Sequence, residues 1–461
     1  MSSTAVGLGR PELERQAATR AESWFSWAGA IGLLVLVVWA VPIKSYRLPV
    51  ALPFSLELYR LVLIVLVGAW LVAIVTGSRS VSAGGLAKPI VLLAAVGVLS
   101  IVANTHALSS AGLQSQAIKS LTYFLSFLLA YLLVCSTIES VAAAELVVRA
   151  LVLGAGVISI LAIYEARTNY DVFDHLHKWI SFLEPTRAVK ESARRGTRLR
   201  VHASAQHPIA LGAALTMAVP LAAYLVTRAR NQAGSFFWGA TGVLCVVGAM
   251  TTVSRTVVLM ALAMTITALL VRKQAVTRFW PLAIVLVAAV HLAAPHTLGS
   301  LYHSFLPKGG LVHSQTARGG NVGSGRVADI GPGLRSWKEA PVFGHGLGTG
   351  KVARSNEPGA IVDPKTGAPI IFDDQYLNSL VSIGFLGLVG VLWFVWGGVR
   401  RMVSTAKRVY GPAGDLISAC AIACAGFGAG MLTFDAFAFV QCTLVFFVIA
   451  AIGLRTRALV E

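Results

Sequence analysis

Basic residues crowd one short polar segment of the sequence. Residues 165–206 contain eight lysines and arginines, and six of these lie within residues 187–200. Arg198 and Arg200 are the last two of them. A guanidinium group presents a planar fork of donors that fits two phosphate oxygens. We therefore predict an anion site here that binds a phosphate-bearing group, with a tolerated basic loop as the alternative.

Two other segments supply arginines that the same anion would contact. Arg255 follows the turn T-T-V-S at residues 251–254, and Arg326 lies in a long polar stretch. A lone arginine at a helix end commonly extends its charge to the membrane surface, which is the alternative explanation for Arg255. His207 precedes Pro208, a pair typical of a helix start, where free amides and the helix dipole favour an anion.

Two adjacent carboxylates, Asp373 and Asp374, stand immediately before an apolar run. One aspartate in this position is expected to cap the helix, because its side chain accepts free amides of the first turn. Two adjacent aspartates leave a second carboxylate that takes a proton from an attacking hydroxyl. We therefore predict that Asp373 and Asp374 are the catalytic residues, whereas Asp435 is interpreted as a turn residue.

A glycine-dense segment, F-G-H-G-L-G-T-G at residues 343–350, follows a short predicted helix at 335–341. Alternating glycines permit positive φ angles and close backbone approach. Successive amides in such a turn can form a concave anion site, although glycine-rich turns are common. His345 lies within the segment, and we predict that it binds substrate or serves as the base if neither aspartate does.

The composition limits the kind of fold that positions these residues. Of the 461 residues, 56% are hydrophobic and 13% are charged, against about 25% charged residues in soluble domains. These values exclude ordinary water-soluble domains and disordered chains. The five cysteines fall inside apolar runs, and the sequence has no P-loop and no zinc-ligand spacing. We therefore predict no cofactor, no metal and no nucleic-acid partner.

The sequence contains about twelve apolar runs of the length that crosses a bilayer, which is about 20 residues. They lie at residues 24–43, 56–75, 86–103, 119–135, 150–164, 207–226, 236–251, 256–271, 279–294, 377–396, 415–432 and 436–454. We therefore predict an all-α polytopic membrane protein with about 12 transmembrane helices and a long structured extracytoplasmic loop between helices 9 and 10.

The net charge of +18 indicates how these helices are oriented. If twelve helices alternate, most cations of the short loops fall on one side, which the positive-inside bias places in the cytoplasm. Residues 1–23 and 455–461 are then cytoplasmic tails. Helices 1–9 occupy residues 24–294, with a basic outer loop at 165–206. Residues 295–376 form an outer loop domain, and helices 10–12 occupy residues 377–454.

Four local patterns resemble the bacterial O-antigen ligase and O-antigen or exopolysaccharide polymerase superfamily. R-V-H-A-S-A-Q-H-P-I-A-L at residues 200–211 is similar to its arginine, small-residue stretch and His-Pro helix start. Ser254 and Arg255 resemble its Ser-Arg turn, and P-V-F-G-H-G-L-G at 341–348 resembles its Pro-hydrophobic-Gly-x-Gly segment. D-D-Q-Y-L-N-S-L-V-S-I-G-F-L-G at 373–387 resembles its His-Asn-x-Tyr-Leu and Gly-x-x-Gly signature.

The resemblance implies a metal-independent glycosyltransferase of the bacterial inner membrane that acts on the periplasmic face. The donor would be a glycan on undecaprenyl pyrophosphate, and the acceptor would be another lipid-linked glycan or lipid A–core. Arg200 and Arg255 would hold the pyrophosphate leaving group, whose developing charge fixed cations stabilise. Ligases of this family have histidine and asparagine where this chain has Asp373 and Asp374, so a polymerase is slightly favoured over a ligase.

Two other classes of function are alternatives. A transporter or flippase for polysaccharide or lipid-linked glycan would place ionisable residues near the middle of the membrane, often on broken helices in repeated halves. The apolar runs of this chain carry few charges, and no repeat between the halves is evident. A non-catalytic scaffold for envelope assembly would not require arginines and carboxylates on one face.

Overall fold

The chain forms a helical bundle in the residues that the structure describes. The structure is a computed structural model that describes residues 26–49, 56–186, 194–195, 198–279, 329–349 and 372–461. All but the first residue of the predicted helix at 279–294 lies outside these ranges. The predicted loop domain at 295–376 is described only for residues 329–349 and 372–376.

Most of the described chain is α-helical. In chain order the helices are α1 (Trp27–Ala40), α2 (Leu58–Val75), α3 (Ala87–Ala103), α4 (Thr105–Ser110), α5 (Gln114–Thr137), α6 (Val141–Thr168), α7 (Pro208–Arg228), α8 (Gln232–Thr251), α9 (Arg255–Phe279), α10 (Ile330–Glu339), α11 (Gln375–Ala406), α12 (Pro412–Gly430) and α13 (Val440–Val460). Short 3₁₀ helices form at Val172–Lys178 and Ala436–Ala438.

Nine helices of the described residues are long and apolar enough to cross a membrane, and the apolar helices α1 and α3 are shorter. Each apolar run predicted before residue 279 and after residue 376 coincides with one of these helices. The prediction of a multi-pass, all-α membrane protein is therefore confirmed for the described residues. The boundaries differ most at α6, which begins nine residues earlier than the predicted run and continues to Thr168.

Polar side chains fix where several helices begin. Ser140 accepts the amide of Ala143 at 3.1 Å before α6. Such caps satisfy amides that have no partner within the helix. At α7, His207 Nδ1 accepts the amide of Ile209 at 3.1 Å, and Pro208 is the first helical residue. The helix start predicted at this pair is confirmed.

Helices α7, α12 and α13 form the centre of the bundle. In the most apolar stretch of α12, 83% of residues are buried, against 28% in the peripheral α2. α12 packs against α7, α9, α11 and α13. Small side chains allow this close approach, and close packing is what associates helices in a membrane. The α12 residues Cys420 and Cys424 are buried and free, as expected for small packing residues.

Two short antiparallel sheets form in the loops at one end of the bundle, which we call the loop end. Strand β1 (Tyr46–Arg47) pairs with β2 (Glu184–Pro185), and β3 (Arg194–Arg195) pairs with β4 (Arg198–Leu199). The first pairing joins the segment after α1 to the basic segment after α6. Both segments therefore lie at the same end, as the alternation of helices predicts.

Candidate functional site

A buried carboxylate orders residues 200–207, which we call the arginine segment. Glu165, in the last turn of α6, is 2% exposed. Its two oxygens accept hydrogen bonds from the amides of His202 and Ala203, at 3.3 and 2.9 Å. Ala203 has a φ of +42°, a conformation that persists only where its surroundings impose it. The arginine segment is therefore held in a defined shape at the loop end.

Glu165 also belongs to a group of potential metal ligands. One ligand atom each from Glu165, Asp171 and His202 lies within 4.8 Å of the others. His202 Nδ1 is 3.4 Å from Asp171 Oδ2 and 3.3 Å from the carbonyl oxygen of Ala203. Because each Glu165 oxygen already accepts a backbone amide, these contacts favour an ordering role for the group over metal binding.

Arg200 joins the arginine segment to the turn between α8 and α9. Its side chain is buried, and its Nε donates to the carbonyl of Thr252 at 3.2 Å. Val253 in this turn has a φ of +47°, which is rare for a β-branched residue. Arg255 is the first residue of α9, where the helix dipole favours an anion. An anion bound there would be attracted by the dipole and by the guanidinium together.

The turn between α12 and α13, residues 431–439, packs against both arginine-bearing segments. Thr433 Oγ1 lies 2.8 Å from Oγ1 of Thr256, in the first turn of α9. The ring of His207, at the start of α7, stacks on Phe439 at a centroid distance of 5.4 Å. The starts of α7, α9 and α13 therefore meet at this α12–α13 turn.

The start of α11 is anchored to the same turn through Gln375, which is 2% exposed. The amide of Gln375 donates to the carbonyl of Met431 at 2.9 Å, and its Oε1 accepts the amide of Phe437 at 2.7 Å. As a result, the adjacent Asp373 and Asp374 lie at the loop end, beside the α12–α13 turn.

The two aspartates have different environments. Asp374 caps α11, because its Oδ1 accepts the amides of Tyr376 and Leu377 at 2.7 and 3.2 Å. Asp373 is exposed and precedes the cap. The capping contacts therefore account for Asp374, and Asp373 is the exposed carboxylate of the pair and lies outside the cap.

A cleft with mostly apolar walls opens between α5, α11, the glycine-dense segment and the α12–α13 turn. Its cavity volume is about 40 Å³. Asp435, in the α12–α13 turn, is the carboxylate among its lining residues. Apolar walls with a few polar groups are typical of small-molecule pockets. The polar side chains are those of Ser120, Gln375, Asn378, Ser379 and Ser382, and the rings are those of Tyr123, Phe124, Phe127 and Phe437.

Cations from the first part of the chain border this cleft. Lys44 Nζ donates to the carbonyl of Ala438 at 3.3 Å, and the guanidinium of Arg60 lies 4.4 Å from the centre of the Tyr123 ring. Glu57 accepts the amide of Lys44 at 3.0 Å and lies 3.6 Å from Arg60. Burial raises the pKa of Glu57, and the charges of Arg60 and Lys44 oppose that shift. The sequence alone gave these residues no role at the site.

The glycine-dense segment packs against α11, a contact that its sequence does not indicate. α11 is interrupted at Gly384, where φ is +73° and ψ is −174°. The amides of His345 and Gly346 donate to the carbonyls of Val381 and Ser382 at 2.9 and 3.0 Å. Helix carbonyls at an interruption lose their partners in the next turn and need such donors. The amides of His345 and Gly346 therefore bind carbonyls of α11 and not the anion that such a turn can hold.

The imidazole of His345 contacts α10. Its Nε2 lies 2.9 Å from the carbonyl oxygen of Ser336 and 3.1 Å from the Oγ of the same residue. The short helix predicted at 335–341 corresponds to α10, which ends at Glu339. In the described residues these contacts fix the glycine-dense segment between α10 and α11.

The residues predicted to bind the phosphate group differ in how far the structure describes their positions. Arg200 and His207, at the two ends of the arginine segment, and Arg255, at the start of α9, lie on two segments that meet at the α12–α13 turn. Arg198 is placed only by its backbone, in β4, opposite Arg195. Arg326 lies outside the described residues.

The residues that connect these segments were not identified from the sequence. Glu165 reaches a partner 37 positions away, and Gln375 reaches one 62 positions away. The sequence signal for each was only a polar residue at the edge of an apolar run, which most often marks a helix end. Their importance depends on which segments come together.

Comparison with known protein families relates part of the chain to one of them. Residues 240–392 match the family model described as O-antigen ligase. The matched region includes Arg255, the glycine-dense segment and the start of α11, and it begins after the arginine segment. No curated protein matches the chain.

Proposed function

We propose that this chain is a membrane glycosyltransferase. The match at residues 240–392 supports its place in the O-antigen ligase and polymerase superfamily. Its donor is a glycan on undecaprenyl pyrophosphate, and its acceptor is a hydroxyl of a second glycan. The transfer takes place at the loop end of the bundle, on the periplasmic face of the bacterial inner membrane.

The hydrogen bond from Arg200 to Thr252 is the observation that carries this proposal. It brings a buried guanidinium to the turn that leads into Arg255, so that cations from two segments lie on one surface. Both arginines belong to patterns that resemble the family. Cations fixed before the reaction stabilise a leaving pyrophosphate without reorganisation, and their effect is larger away from bulk water.

The reaction requires one bond to form and one to break. The acceptor oxygen attacks the anomeric carbon of the donor glycan, and the bond from that carbon to the pyrophosphate oxygen breaks. The proton of the acceptor hydroxyl passes to a carboxylate, for which Asp373 is our first candidate and Asp435 our second. The lipid pyrophosphate leaves with its negative charge held by Arg200 and Arg255.

The acceptor assignment rests on the residues before α11. Ligases of the family have histidine where this chain has Asp373, and we therefore favour a polymerase, whose acceptor is another lipid-linked repeat. The cleft lined by Asp435 and the side-chain amides of Gln375 and Asn378 provides polar groups for such a glycan.

A transporter or flippase is the second candidate function. The observation that favours it is the interruption of α11 at Gly384, because the substrate sites of many transporters are formed by broken helices. At transport sites the freed backbone groups face a substrate or an ion. Here the carbonyls of Val381 and Ser382 accept amides of the glycine-dense segment instead. The interruption therefore has a structural explanation that does not require transport.

The proposal is tested by supplying the purified protein with an undecaprenyl-pyrophosphate-linked repeat. Longer lipid-linked chains identify a polymerase, and product that forms only when lipid A–core is added identifies a ligase. Movement of the lipid-linked glycan across a vesicle membrane without any new glycosidic bond would refute the transferase and support the flippase.

Arginine variants test the site. Arg200→Ala and Arg255→Ala should each lower the transfer rate about 10²–10³-fold, the usual effect of removing one group that stabilises developing negative charge. Arg230→Ala is the matched control, because this exposed arginine follows α7 at the opposite end of the bundle. Full activity of both site variants, in protein that inserts normally, would refute the assignment.

The base is tested by replacing each carboxylate separately. Asp373→Asn should abolish transfer, whereas Asp374→Asn should keep most of it, because asparagine also caps a helix well. If Asp373→Asn remains active and Asp435→Asn does not, the base is in the α12–α13 turn.

A further inference from the structure

A second cleft lies at the end of the bundle opposite the candidate site. α11 and α13 both begin at the loop end, and their last turns reach the other end. A cleft with a cavity volume of about 360 Å³ lies beside these last turns. We call it the basic cleft, and its lining residues are Trp393, Gly397, Arg400, Arg401, Ser404, Thr405, Arg408 and Arg457.

The lining residues of α11 form one stripe along the helix. Trp393, Gly397, the pair Arg400 and Arg401, and the pair Ser404 and Thr405 follow one another at spacings of three to four residues, which places them on the same face. Arg408 follows two residues after the end of the helix. Trp393 begins the stripe and is 41% exposed, and the arginines follow toward the helix end. Tryptophan is enriched where the membrane meets water, and cations lie just outside that level. The stripe thus changes from apolar to charged along the helix, as a phospholipid does from its acyl chains to its head group.

Carboxylates of the described residues neutralise only part of the positive charge of the basic cleft. Arg408 and Arg457 pair with Glu461, the last residue. Arg400 and Arg401 form no ion pair in the part of the chain that the structure describes. Two guanidinium groups therefore face the cleft without a carboxylate.

Two guanidinium groups of this cleft are also held close together. A Cβ atom on Gly85, in the loop between α2 and α3, would lie 3.4 Å from Nη1 of Arg401 and 3.4 Å from Nη1 of Arg457. Because each nitrogen lies 3.4 Å from the same point, the Nη1 atoms of Arg401 and Arg457 are separated by at most twice that distance. Arg457 is paired with Glu461, so Arg401 is the cation of these two that no carboxylate of the described residues balances. The positive-inside bias requires cations in these loops but does not require them to converge.

We propose that the basic cleft binds the phosphate groups of an anionic phospholipid, with Arg400 and Arg401 on the phosphate oxygens and Trp393 beside the acyl chains. The guanidinium fork fits phosphate oxygens, and basic pockets between membrane helices bind head groups that carry more than one phosphate. A soluble phosphate would gain nothing from the exposed tryptophan. The site is separate from the transferase site, and the proposal does not depend on the proposed function.

The test measures lipid binding to the full-length protein in detergent, by native mass spectrometry and by thermal unfolding. The probes are cardiolipin, whose head group carries two phosphates, phosphatidylcholine and inorganic pyrophosphate. Cardiolipin should bind and raise the unfolding temperature, whereas phosphatidylcholine should not. The double variant Arg400→Ala with Arg401→Ala should bind cardiolipin about 10–30-fold more weakly. Arg230→Ala, an exposed arginine at the same end, should bind like the wild type.

Two outcomes would overturn the proposal. Equal cardiolipin affinity of the double variant and the wild type would show that the cleft is not the site. Stabilisation by pyrophosphate that equals that by cardiolipin and is lost in the double alanine variant would show that the cleft is a site for soluble phosphates. If the alanine variant fails to fold, Arg400→Lys with Arg401→Lys decides, because it keeps the charge and loses the fork. Reduced affinity of the lysine variant supports the proposal, and unchanged affinity refutes it.

Discussion

The junction between the interrupted helix α11 and the glycine-dense segment permits a quantitative prediction. Gly384 has a φ of +73° and a ψ of −174°, a combination that is essentially restricted to glycine. A Cβ atom on this residue would lie 2.0 Å from the carbonyl oxygen of Val342 and 2.3 Å from its carbonyl carbon. These are backbone atoms, so no side-chain rotation relieves the overlap. Gly384→Ala must therefore move the segment or change the course of α11.

The expected cost has two parts. The unfavourable backbone conformation costs about 1–3 kcal/mol. Forcing a methyl group into a packed contact costs about 1–3 kcal/mol more. Gly384→Ala should therefore lower the free energy of unfolding by about 2–6 kcal/mol in sum. Gly68→Ala is the matched control: Gly68 is an exposed helical glycine of α2 with nothing near its Cβ position, and alanine there should be neutral or stabilising.

The assay is thermal unfolding of the purified protein in detergent, with the monodisperse fraction measured after heating. Gly384→Ala should unfold at a clearly lower temperature than the wild type, and Gly68→Ala should not. If Gly384→Ala is as stable as Gly68→Ala, the contact between the glycine-dense segment and α11 is not what requires a glycine at this position.

A double variant tests whether the two glycines of the junction act on one contact. A Cβ atom on Gly344 would lie 2.5 Å from the carbonyl carbon of Ser382, across the same junction from Gly384. Once one alanine has opened the contact, the second has less to overlap with. The loss in Gly344→Ala with Gly384→Ala should therefore be smaller than the sum of the single losses. Strict additivity would contradict a shared junction.

Three further predictions follow from other contacts. Asp374→Ala should lower stability by about 0.5–2 kcal/mol through loss of the α11 cap, while Asp374→Asn should keep most of that stability because asparagine also caps a helix, and equal effects of the two variants would contradict the capping assignment. Glu165→Gln removes a charged acceptor worth about 1.5–3 kcal/mol per hydrogen bond, so hydrogen exchange at the amides of His202 and Ala203 should accelerate more than tenfold, and unchanged protection would count against its ordering role. The five buried cysteines should react with a charged maleimide only after denaturation, so labelling of the native protein would place at least one of them at the surface.

Some of the candidate site was open to prediction from local sequence. The start of α7 at His207 and Pro208 follows from the residue types themselves, because a cap and a proline act within one helical turn. The same reasoning identified a cap among Asp373 and Asp374 but left both in the catalytic role. Only the hydrogen bonds to Tyr376 and Leu377 distinguish Asp374 as the cap.

The glycine-dense segment illustrates the limit of local reasoning. The glycines did indicate positive φ angles and close backbone approach, and Gly344, Gly346 and Gly348 have φ of +66°, +109° and +93°. What they did not determine was the partner. Free amides attract an anion and a helix carbonyl alike, and the pattern contains no information on which one is present. The carbonyls of α11 become available only because that helix is interrupted at Gly384.

The sequence by itself determined that this is a protein of many membrane-crossing helices, where most of these helices lie, and which family it resembles. Each of these properties depends on amino-acid composition or on the order of residues within a few helical turns, because any sufficiently long apolar run can cross a bilayer as a helix. The tertiary structure decided that Arg200 reaches the turn before Arg255, that Glu165 holds the arginine segment and that arginines of α11 and α13 converge on Gly85. These contacts join residues far apart in sequence, and packing of the whole bundle determines which of them meet.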